Sequence, residues 1–183
     1  MRINNREQLI LETLPKLVMT KKNKHIDMDT QTIEILGRNR LVDELLIAGL
    51  EVAMPLRDRG IDLIAYVDLA EVASKFAAVP IQMKAASNRA FSIDRKYAKI
   101  SNLVLVYVWC LRSPGNAESF ALTYPEALAI AKAVKWTKTI SWREKGKYST
   151  SHPAQELCEL LAPYKMSPDA WRKKISLVSQ VAF

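Results

Sequence analysis

The feature that most constrains the fold is an almost entirely apolar run, NLVLVYVWCL, at residues 102–111. Its β-branched and aromatic side chains favour an extended strand. Removing so many apolar side chains from water is strongly favourable, so we expect the segment to lie inside the protein. The run therefore predicts a strand that lies centrally in a β-sheet.

Three further strands are predicted before this run. The segments LEVAMPL and IDLIAYV are short apolar runs separated by the charged turn RDRG at residues 57–60. Two such runs flanking a turn that ends in glycine are typical of a β-hairpin. The segment VPIQMKAAS predicts a third strand, and Pro80 fits its start because proline is tolerated there.

Apolar residues at helical spacing predict a long helix that runs to about Ala48 and is capped by Asp29 or Thr30. Gly49 then supplies the left-handed residue on which such helices often end. The remaining segments predict a helix at residues 5–18, a loop with a short helix in FSIDRKYAKIS, a strand in ESFALTY, a helix in PEALAIAKAV and a last helix, SPDAWRKKISLV, capped by Ser167.

From about residue 30 these elements follow the order α-β-β-β-α-β-β-α. This order predicts an α/β fold with a mixed central sheet flanked by helices. The 183 residues fit one domain, since domains usually have about 100 to 200 residues. We assign the core to about residues 30–135, with an N-terminal helix before it and an α-helical C-terminal extension at about 136–183.

The composition excludes several classes of protein. With 49% hydrophobic and 25% charged residues, the chain is typical of globular proteins. No apolar run approaches the roughly 20 residues that span a bilayer, and the N-terminus lacks a signal peptide's apolar stretch, so we expect a cytoplasmic protein with no membrane partner. The 2 cysteines and 2 histidines have no metal-ligand spacing, so any metal must be held by oxygen.

The formal net charge of +8 favours a polyanionic partner, because clustered lysine and arginine release counterions from phosphates. Basic residues are grouped at Lys21–Lys24, at Arg95–Lys99 and at Arg172–Lys174. The alternative for each group is a solvated surface without a partner.

The third predicted strand is polar on one face only. In IQMK, side chains two apart point the same way, so Gln82 and Lys84 share a face. In IDLIAYV, Asp62 is a lone carboxylate in a strand that should be mostly buried, and such a group needs a cation or hydrogen bonds to compensate it. If the two strands are neighbours, an anion, an amide and an ammonium group converge on one spot.

These residues resemble the signature of the PD-(D/E)XK nuclease superfamily, an acidic residue on the second strand and (D/E/Q)-x-K on the third. The matching text is GIDLIAY followed by PIQMKAA, and the resemblance covers about residues 30–130. It is closest to Holliday-junction resolvases and related small nucleases. The endonuclease subunit of certain transposons also looks similar, since that group tolerates glutamine at the position of Gln82.

The resemblance implies a restriction-endonuclease-like core that hydrolyses phosphodiester bonds in DNA with Mg²⁺ or Mn²⁺. Asp62 would bind the ion directly, and the side-chain oxygen of Gln82 would be a weaker, neutral ligand. Lys84 would orient or help to deprotonate the attacking water and offset charge in the transition state.

The sequence departs from the family pattern in two places. Gln82 replaces the commoner acid, which weakens Mg²⁺ binding. Resolvase-like relatives carry a glutamate in the preceding helix about three turns before its terminal glycine, where this chain has Arg38. Glu34 lies one turn earlier and is our candidate for the displaced acid, and Glu44 lies nearer the helix end. The alternative for Glu34 and Arg38 is an i,i+4 ion pair on a solvated face.

Basic and aromatic residues supply the candidate DNA contacts. Arg95, Lys96, Tyr97 and Lys99 follow the third strand, where related nucleases contact the DNA backbone; the alternative is a plain surface helix. Trp136, Trp142 and Tyr148 are interleaved with lysine and arginine and are able to stack on bases, or else they anchor the C-terminal extension. We expect Trp109 to lie in the core.

Two alternatives to an active endonuclease follow from the departures. The chain is either a catalytically degenerate DNA-binding module that kept the fold, or a protein-interaction subunit whose charge maintains solubility. Nucleases of this kind often act in pairs, so a homodimer is also expected.

Overall fold

A computed structural model describes residues 28–57, 59–67 and 76–181. The predicted N-terminal helix at residues 5–18 lies outside these ranges, as does the segment 68–75. The described part contains five α-helices, seven β-strands and four short 3₁₀ helices.

The α-helices are α1 (Thr30–Ile47), α2 (Tyr124–Ala133), α3 (Ile140–Lys145), α4 (Gln155–Leu161) and α5 (Pro168–Ser179). The strands are β1 (Glu51–Ala53), β2 (Leu63–Tyr66), β3 (Ala78–Ala85), β4 (Phe91–Asp94), β5 (Val104–Trp109), β6 (Glu118–Thr123) and β7 (Lys147–Thr150). The 3₁₀ helices are Arg95–Lys99, Pro114–Asn116, Trp136–Lys138 and Ala162–Tyr164.

Five of the strands form a mixed sheet in the order β1-β2-β3-β5-β6. The pairs β1–β2, β2–β3 and β5–β6 are antiparallel, and β3–β5 is parallel. Strands β4 and β7 form a separate antiparallel pair, which we call the ribbon. The α/β class, the mixed sheet and the β1–β2 hairpin are therefore as predicted.

The apolar run at residues 102–111 contains β5, in which every residue is buried. It lies in the interior of the sheet, between β3 and β6, although β3 occupies the middle position. Such a strand is buried on both sides only where other elements cover both faces of the sheet.

The two faces of the sheet carry two hydrophobic cores. On one face α1 and α5 pack against residues such as Leu63, Ile81 and Val106. On the other face, the ribbon, α2 and α4 pack against residues such as Leu105 and Tyr107. The protein thus has three layers. The polar face of β3, which carries Gln82 and Lys84, is directed to the layer that contains the ribbon, α2 and α4.

Helix ends follow the sequence signals. The Asp29 side chain accepts a 2.7 Å hydrogen bond from the backbone N–H of Thr32 and caps α1, and Gly49 follows this helix with φ +75°. Thr123 and Glu126 form a capping box at the start of α2, and Ser167 caps α5 as predicted.

Two predictions about secondary structure were wrong. FSIDRKYAKIS is not a loop before its short helix: Phe91–Asp94 forms β4, and only Arg95–Lys99 is helical, as a 3₁₀ turn. The C-terminal extension is not purely α-helical, because it contains β7. The two errors have one cause, since β4 and β7 pair with each other across more than fifty residues of chain and neither shows its partner locally.

The C-terminal segment contributes to both hydrophobic cores. Trp171 and Ile175 of α5 are fully buried against the sheet, and Trp142 and Leu161 are buried in the core on the other face. Within the described ranges, no helix has the length and apolar character needed to cross a membrane.

Candidate active site

The register of β2 and β3 places Asp62 beside Gln82. Leu63 pairs with Ile81 in the antiparallel ladder, and the backbone N–H of Asp62 donates a 2.8 Å hydrogen bond to the carbonyl of Ile81. One position further along, Asp62 and Gln82 face each other. Because side chains alternate along a strand, both point away from the core that buries Leu63 and Ile81.

Hydrogen bonds orient the Asp62 carboxylate. Gln82 Nε2 donates to Asp62 Oδ2, and the backbone N–H of Met83 donates to the same oxygen at 2.6 Å. Gln82 is buried, and Nε2 also lies 3.3 Å from the carbonyl oxygen of Met83. A buried amide and a half-buried carboxylate are therefore compensated by each other and by the backbone, as buried polar groups must be.

Lys84 lies two residues after Gln82 on the same face of β3 and is half-buried. Its Nζ lies 5.5 Å from the centre of the Tyr97 ring, which is buried. Among the described residues, Lys84 makes this cation–π contact and forms no salt bridge. The ammonium group is thus held in place over an aromatic ring with its charge not neutralised by a described carboxylate.

A cleft of about 820 Å³, which we call the main cleft, brings together all four predicted catalytic residues. Its lining includes Asp62, Gln82, Lys84 and Glu34. Helix α1 contributes Glu34, β3 contributes the floor, and the ribbon contributes the opposite wall through Ser92 and Ser149–Thr150.

Helix α1 reaches the cleft because of a close approach at Gly37. A Cβ atom at this position would lie 2.6 Å from the Cβ of Ala85, so only glycine allows this spacing between α1 and β3. Glu34 is one turn from Gly37 and forms a 2.6 Å ion pair with Arg38. The predicted i,i+4 pair is therefore present, and Glu34 also lines the cleft.

Glu44, the other acid of this helix, has a different position. Its carboxylate accepts hydrogen bonds from Ser119 Oγ at 2.9 Å and Trp171 Nε1 at 3.2 Å, and it forms a 2.9 Å ion pair with Arg40. Glu44 therefore ties α1 to β6 and α5, away from the main cleft.

The donor set of the main cleft is compatible with a hard divalent cation. Its potential ligands are the carboxylates of Asp62 and Glu34 and the amide oxygen of Gln82. No group of three or more histidine, cysteine, aspartate or glutamate side chains suited to a metal occurs among the described residues. Mg²⁺ is compatible with so few protein ligands, because it keeps several waters and is bound through one or two carboxylates and substrate phosphates.

The four predicted DNA-contacting residues lie in four different environments. Lys96 is exposed, lies 4.9 Å from the Tyr97 ring centre and lines a second cleft described below. Tyr97 is buried beneath Lys84 and Lys96. Arg95 stacks 5.0 Å from the centre of the Trp142 ring, and Lys99 is exposed outside both clefts.

The aromatic residues of the C-terminal segment pack against each other. Trp136 lies 4.4 Å from Tyr148 and 5.7 Å from Phe91, measured between ring centres, and Trp142 is buried under Arg95. This arrangement agrees with the anchoring alternative rather than with base stacking. Trp109 is buried in the core, as predicted.

The pairing of the two ribbon strands and the cleft that they line were not predicted from the sequence. A second cleft of about 440 Å³, which we call the lysine cleft, adjoins the main cleft and shares Lys84, Ser92 and Ser149 with it. Lys147 and Lys96 complete its basic lining. The available sequence signal was the alternation of apolar and polar residues in FSID, whose apolar members, Phe91 and Ile93, are buried in the structure.

The comparisons with known proteins do not assign the chain to a family. No family model matches it, and neither the curated proteins nor the solved structures include a significant match.

Proposed function

We propose that the protein is a metal-dependent endonuclease that hydrolyses phosphodiester bonds in DNA at the main cleft. The observation that carries this proposal is the convergence of Asp62, Gln82 and Lys84 from two neighbouring strands, with Glu34 across the same cleft. A carboxylate, an amide and an ammonium group that forms no salt bridge with a described residue provide, at one end of a sheet, separate positions for a cation and for a phosphate.

We further propose a restriction-endonuclease-like core. In its support, α1, β1, β2 and β3 are followed by β5, β6 and α2 in the mixed sheet order β1-β2-β3-β5-β6. The helix of the family order between β3 and β5 is represented here by the 3₁₀ turn Arg95–Lys99, and β4 is an additional element.

The chain's own residues would divide the work as follows. The Asp62 carboxylate, held by the Met83 N–H, would bind Mg²⁺ or Mn²⁺ together with Glu34 and the Gln82 side-chain oxygen. The bound ion would supply Lewis acidity and a more acidic water. The Lys84 ammonium group, positioned over Tyr97, would bind a phosphate oxygen and offset the charge that develops as water attacks.

Nicking of supercoiled plasmid DNA tests the proposal directly. We expect cleavage in Mg²⁺ or Mn²⁺ that EDTA abolishes, and a loss of about 100-fold or more in Lys84→Ala and Asp62→Ala, since positioned catalytic groups typically contribute this much. Lys173→Ala is the matched control: Lys173 is an exposed lysine on α5 outside both clefts. The proposal fails if purified protein nicks nothing in either metal, or if the cleft variants cut as fast as the control.

Two contacts favour a second candidate, a DNA-binding module without catalysis. Gln82 presents Nε2, not its oxygen, to Asp62, and Arg38 already neutralises Glu34. Both arrangements reduce the capacity to hold a cation. This candidate predicts salt-sensitive DNA binding that a chelator does not change, with no cleavage. Calorimetry that detects tight Mg²⁺ binding, abolished by Asp62→Ala, would count against it.

A further inference from the structure

The ribbon presents a regular polar face beside the candidate active site. Ser92 pairs with Ser149, and Asp94 pairs with Lys147, so these two cross-strand pairs lie on one face. Phe91 and Ile93 point the other way into the core. The face with two hydroxyls, a lysine and the Asp94 carboxylate lines the lysine cleft next to Lys84.

This face is held rigidly over the sheet by side chains of β5. Tyr107 Oη donates a 2.6 Å hydrogen bond to the carbonyl of Ser92, and Trp109 Nε1 donates one of 2.5 Å to the carbonyl of Ala90. Burial raises the pKa of Tyr107, so its hydroxyl stays a donor at any physiological pH. A ribbon backbone that is already held in place needs little ordering when a ligand binds, and ordering flexible groups would lower the affinity for that ligand.

Charge changes sign between the two clefts. In the main cleft the carboxylates of Asp62 and Glu34 outnumber Lys84, whereas in the lysine cleft Lys84, Lys96 and Lys147 outnumber Asp94.

Asp94 is the acidic residue in the described lining of the lysine cleft. Its Oδ1 accepts a 2.9 Å hydrogen bond from the backbone N–H of Lys96 and caps the 3₁₀ turn. Neither Lys96 nor Lys147 forms a salt bridge with a described residue. Three lysines against the one acid of the described lining, Asp94, leave an excess of positive charge, and together with the two serine hydroxyls of the ribbon they suit consecutive phosphates.

The aromatic side chains near the clefts are packed against other side chains. Trp142 is covered by Arg95 and Tyr97 is buried. Trp136 is packed between Phe91 and Tyr148, and Tyr148, which lines the lysine cleft, is half-buried against Trp136. Within the described ranges the exposed aromatic residue is Phe76, just before β3, and Lys84 is near the opposite end of this strand, about 25 Å away at 3.3 Å per residue. Proteins that bind single strands depend on exposed aromatic rings for affinity.

We propose that the ribbon is a backbone-binding wall for duplex DNA, with Lys96 and Lys147 contacting phosphates next to the one at Lys84, and that the protein prefers duplex to single-stranded DNA. This inference rests on the proposed action on DNA and adds the substrate class and the residues that select it. Backbone contacts without base stacking favour the regular phosphate spacing of a duplex over a flexible single strand.

Fluorescence anisotropy in EDTA measures this binding separately from cleavage. The probes are a labelled 20-base-pair duplex and one of its strands alone, titrated over a range of salt concentrations. We expect the duplex to bind at least about tenfold more tightly. Lys96→Gln and Lys147→Gln should each weaken duplex binding several-fold and reduce the slope of log K against log salt by about one unit, the value for one lost phosphate contact.

Lys173→Gln is the matched control, because Lys173 is exposed and lies next to Arg172, which binds the carbonyl of Ala48 at 2.9 Å. That end of α1 is about 20 Å from Glu34 at 1.5 Å per residue. Single-strand affinity equal to or above duplex affinity, or ribbon variants that match this control, would overturn the inference.

The outcomes of the two experiments are independent. Duplex binding that depends on Lys96 and Lys147 without any nicking supports the ribbon and rejects the nuclease. Metal-dependent nicking that depends on Lys84, with no effect of the ribbon variants on binding, supports the nuclease and rejects the ribbon.

Discussion

At the scale of single residues, the hydrogen bond between Gln82 and Asp62 stabilises the half-buried Asp62 carboxylate. The amide of Gln82 donates to the carboxylate and removes the need for a positive charge there. A carboxylate in place of this amide would need a cation instead. We therefore expect the residue at position 82 to influence how tightly this site binds a cation.

We predict that Gln82→Glu lowers the melting temperature in EDTA and makes it responsive to Mg²⁺. The substitution sets two carboxylates against each other and removes a donor, at a cost of about 1–3 kcal/mol. Mg²⁺ present at a concentration 100 times its dissociation constant would add about 2.7 kcal/mol to the free energy of unfolding. The measurement is thermal unfolding with and without Mg²⁺. Gln155→Glu, at an exposed position on α4, is the control that should not respond. A Gln82→Glu variant that unfolds at the same temperature in both conditions contradicts the prediction.

At the scale of elements, the distance between α1 and β3 depends on Gly37. The neighbours that a methyl group would meet are Ala85 Cβ at 2.6 Å and, at 3.3 Å, Leu111 Cδ1 and Met83 Sδ. The first of these cannot move without the strand. Since β3 also carries Gln82 and Lys84, this contact sets the width of the main cleft.

We predict that Gly37→Ala destabilises the protein although alanine is the better helix former. Replacing glycine by alanine in a helix gains about 1 kcal/mol of helix propensity. Overpacking a close contact with a strand costs about 1–3 kcal/mol, and a Cβ–Cβ distance of 2.6 Å places this contact near the upper value. Urea unfolding measures the difference. Asn39→Ala, at an exposed position in the same helix, should be neutral or stabilising, so a Gly37→Ala variant as stable as Asn39→Ala would refute the packing argument.

At the scale of the whole molecule, one ion pair connects the two helical layers. Lys174 of α5 donates hydrogen bonds of 3.0 and 2.9 Å to the two carboxylate oxygens of Glu126 in α2, and Lys174 is itself buried. Burial alone would raise the pKa of Glu126, but hydrogen bonds from Thr123 and Lys174 outweigh it and lower the pKa below the ordinary 4.5. The pair therefore contributes to global stability only while Glu126 is ionised.

We predict that this contribution is lost in acid. Because the folded-state pKa lies below the unfolded value of about 4.5, the stabilisation is complete above that pH and disappears as the pH falls through the lower folded pKa. Glu126→Gln should be about 1–3 kcal/mol less stable than wild type at pH 7, with a gap that narrows below pH 4. Urea unfolding across this range checks it. A gap independent of pH would show that the charge of Glu126 does not matter.

Local patterns were sufficient for many elements of the fold. The caps at Asp29 and Ser167, the left-handed Gly49 and the buried strand β5 all depend on residues close together in the sequence. The convergence of Asp62 with Gln82 was predictable on the single assumption that β2 and β3 are neighbours, because alternation along each strand then decides the shared face. The predicted homodimer stays a prediction.

The sequence by itself thus determined which segments are helices and strands in most of the core, and which polar side chains a buried strand would carry. Only the tertiary structure decided that β4 pairs with β7, that Gly37 brings α1 against Ala85, and that the tryptophans of the C-terminal segment pack inward. The reason is physical: periodicity and capping depend on neighbours a few residues away, whereas strand partners and helix spacing depend on contacts between residues far apart in the chain.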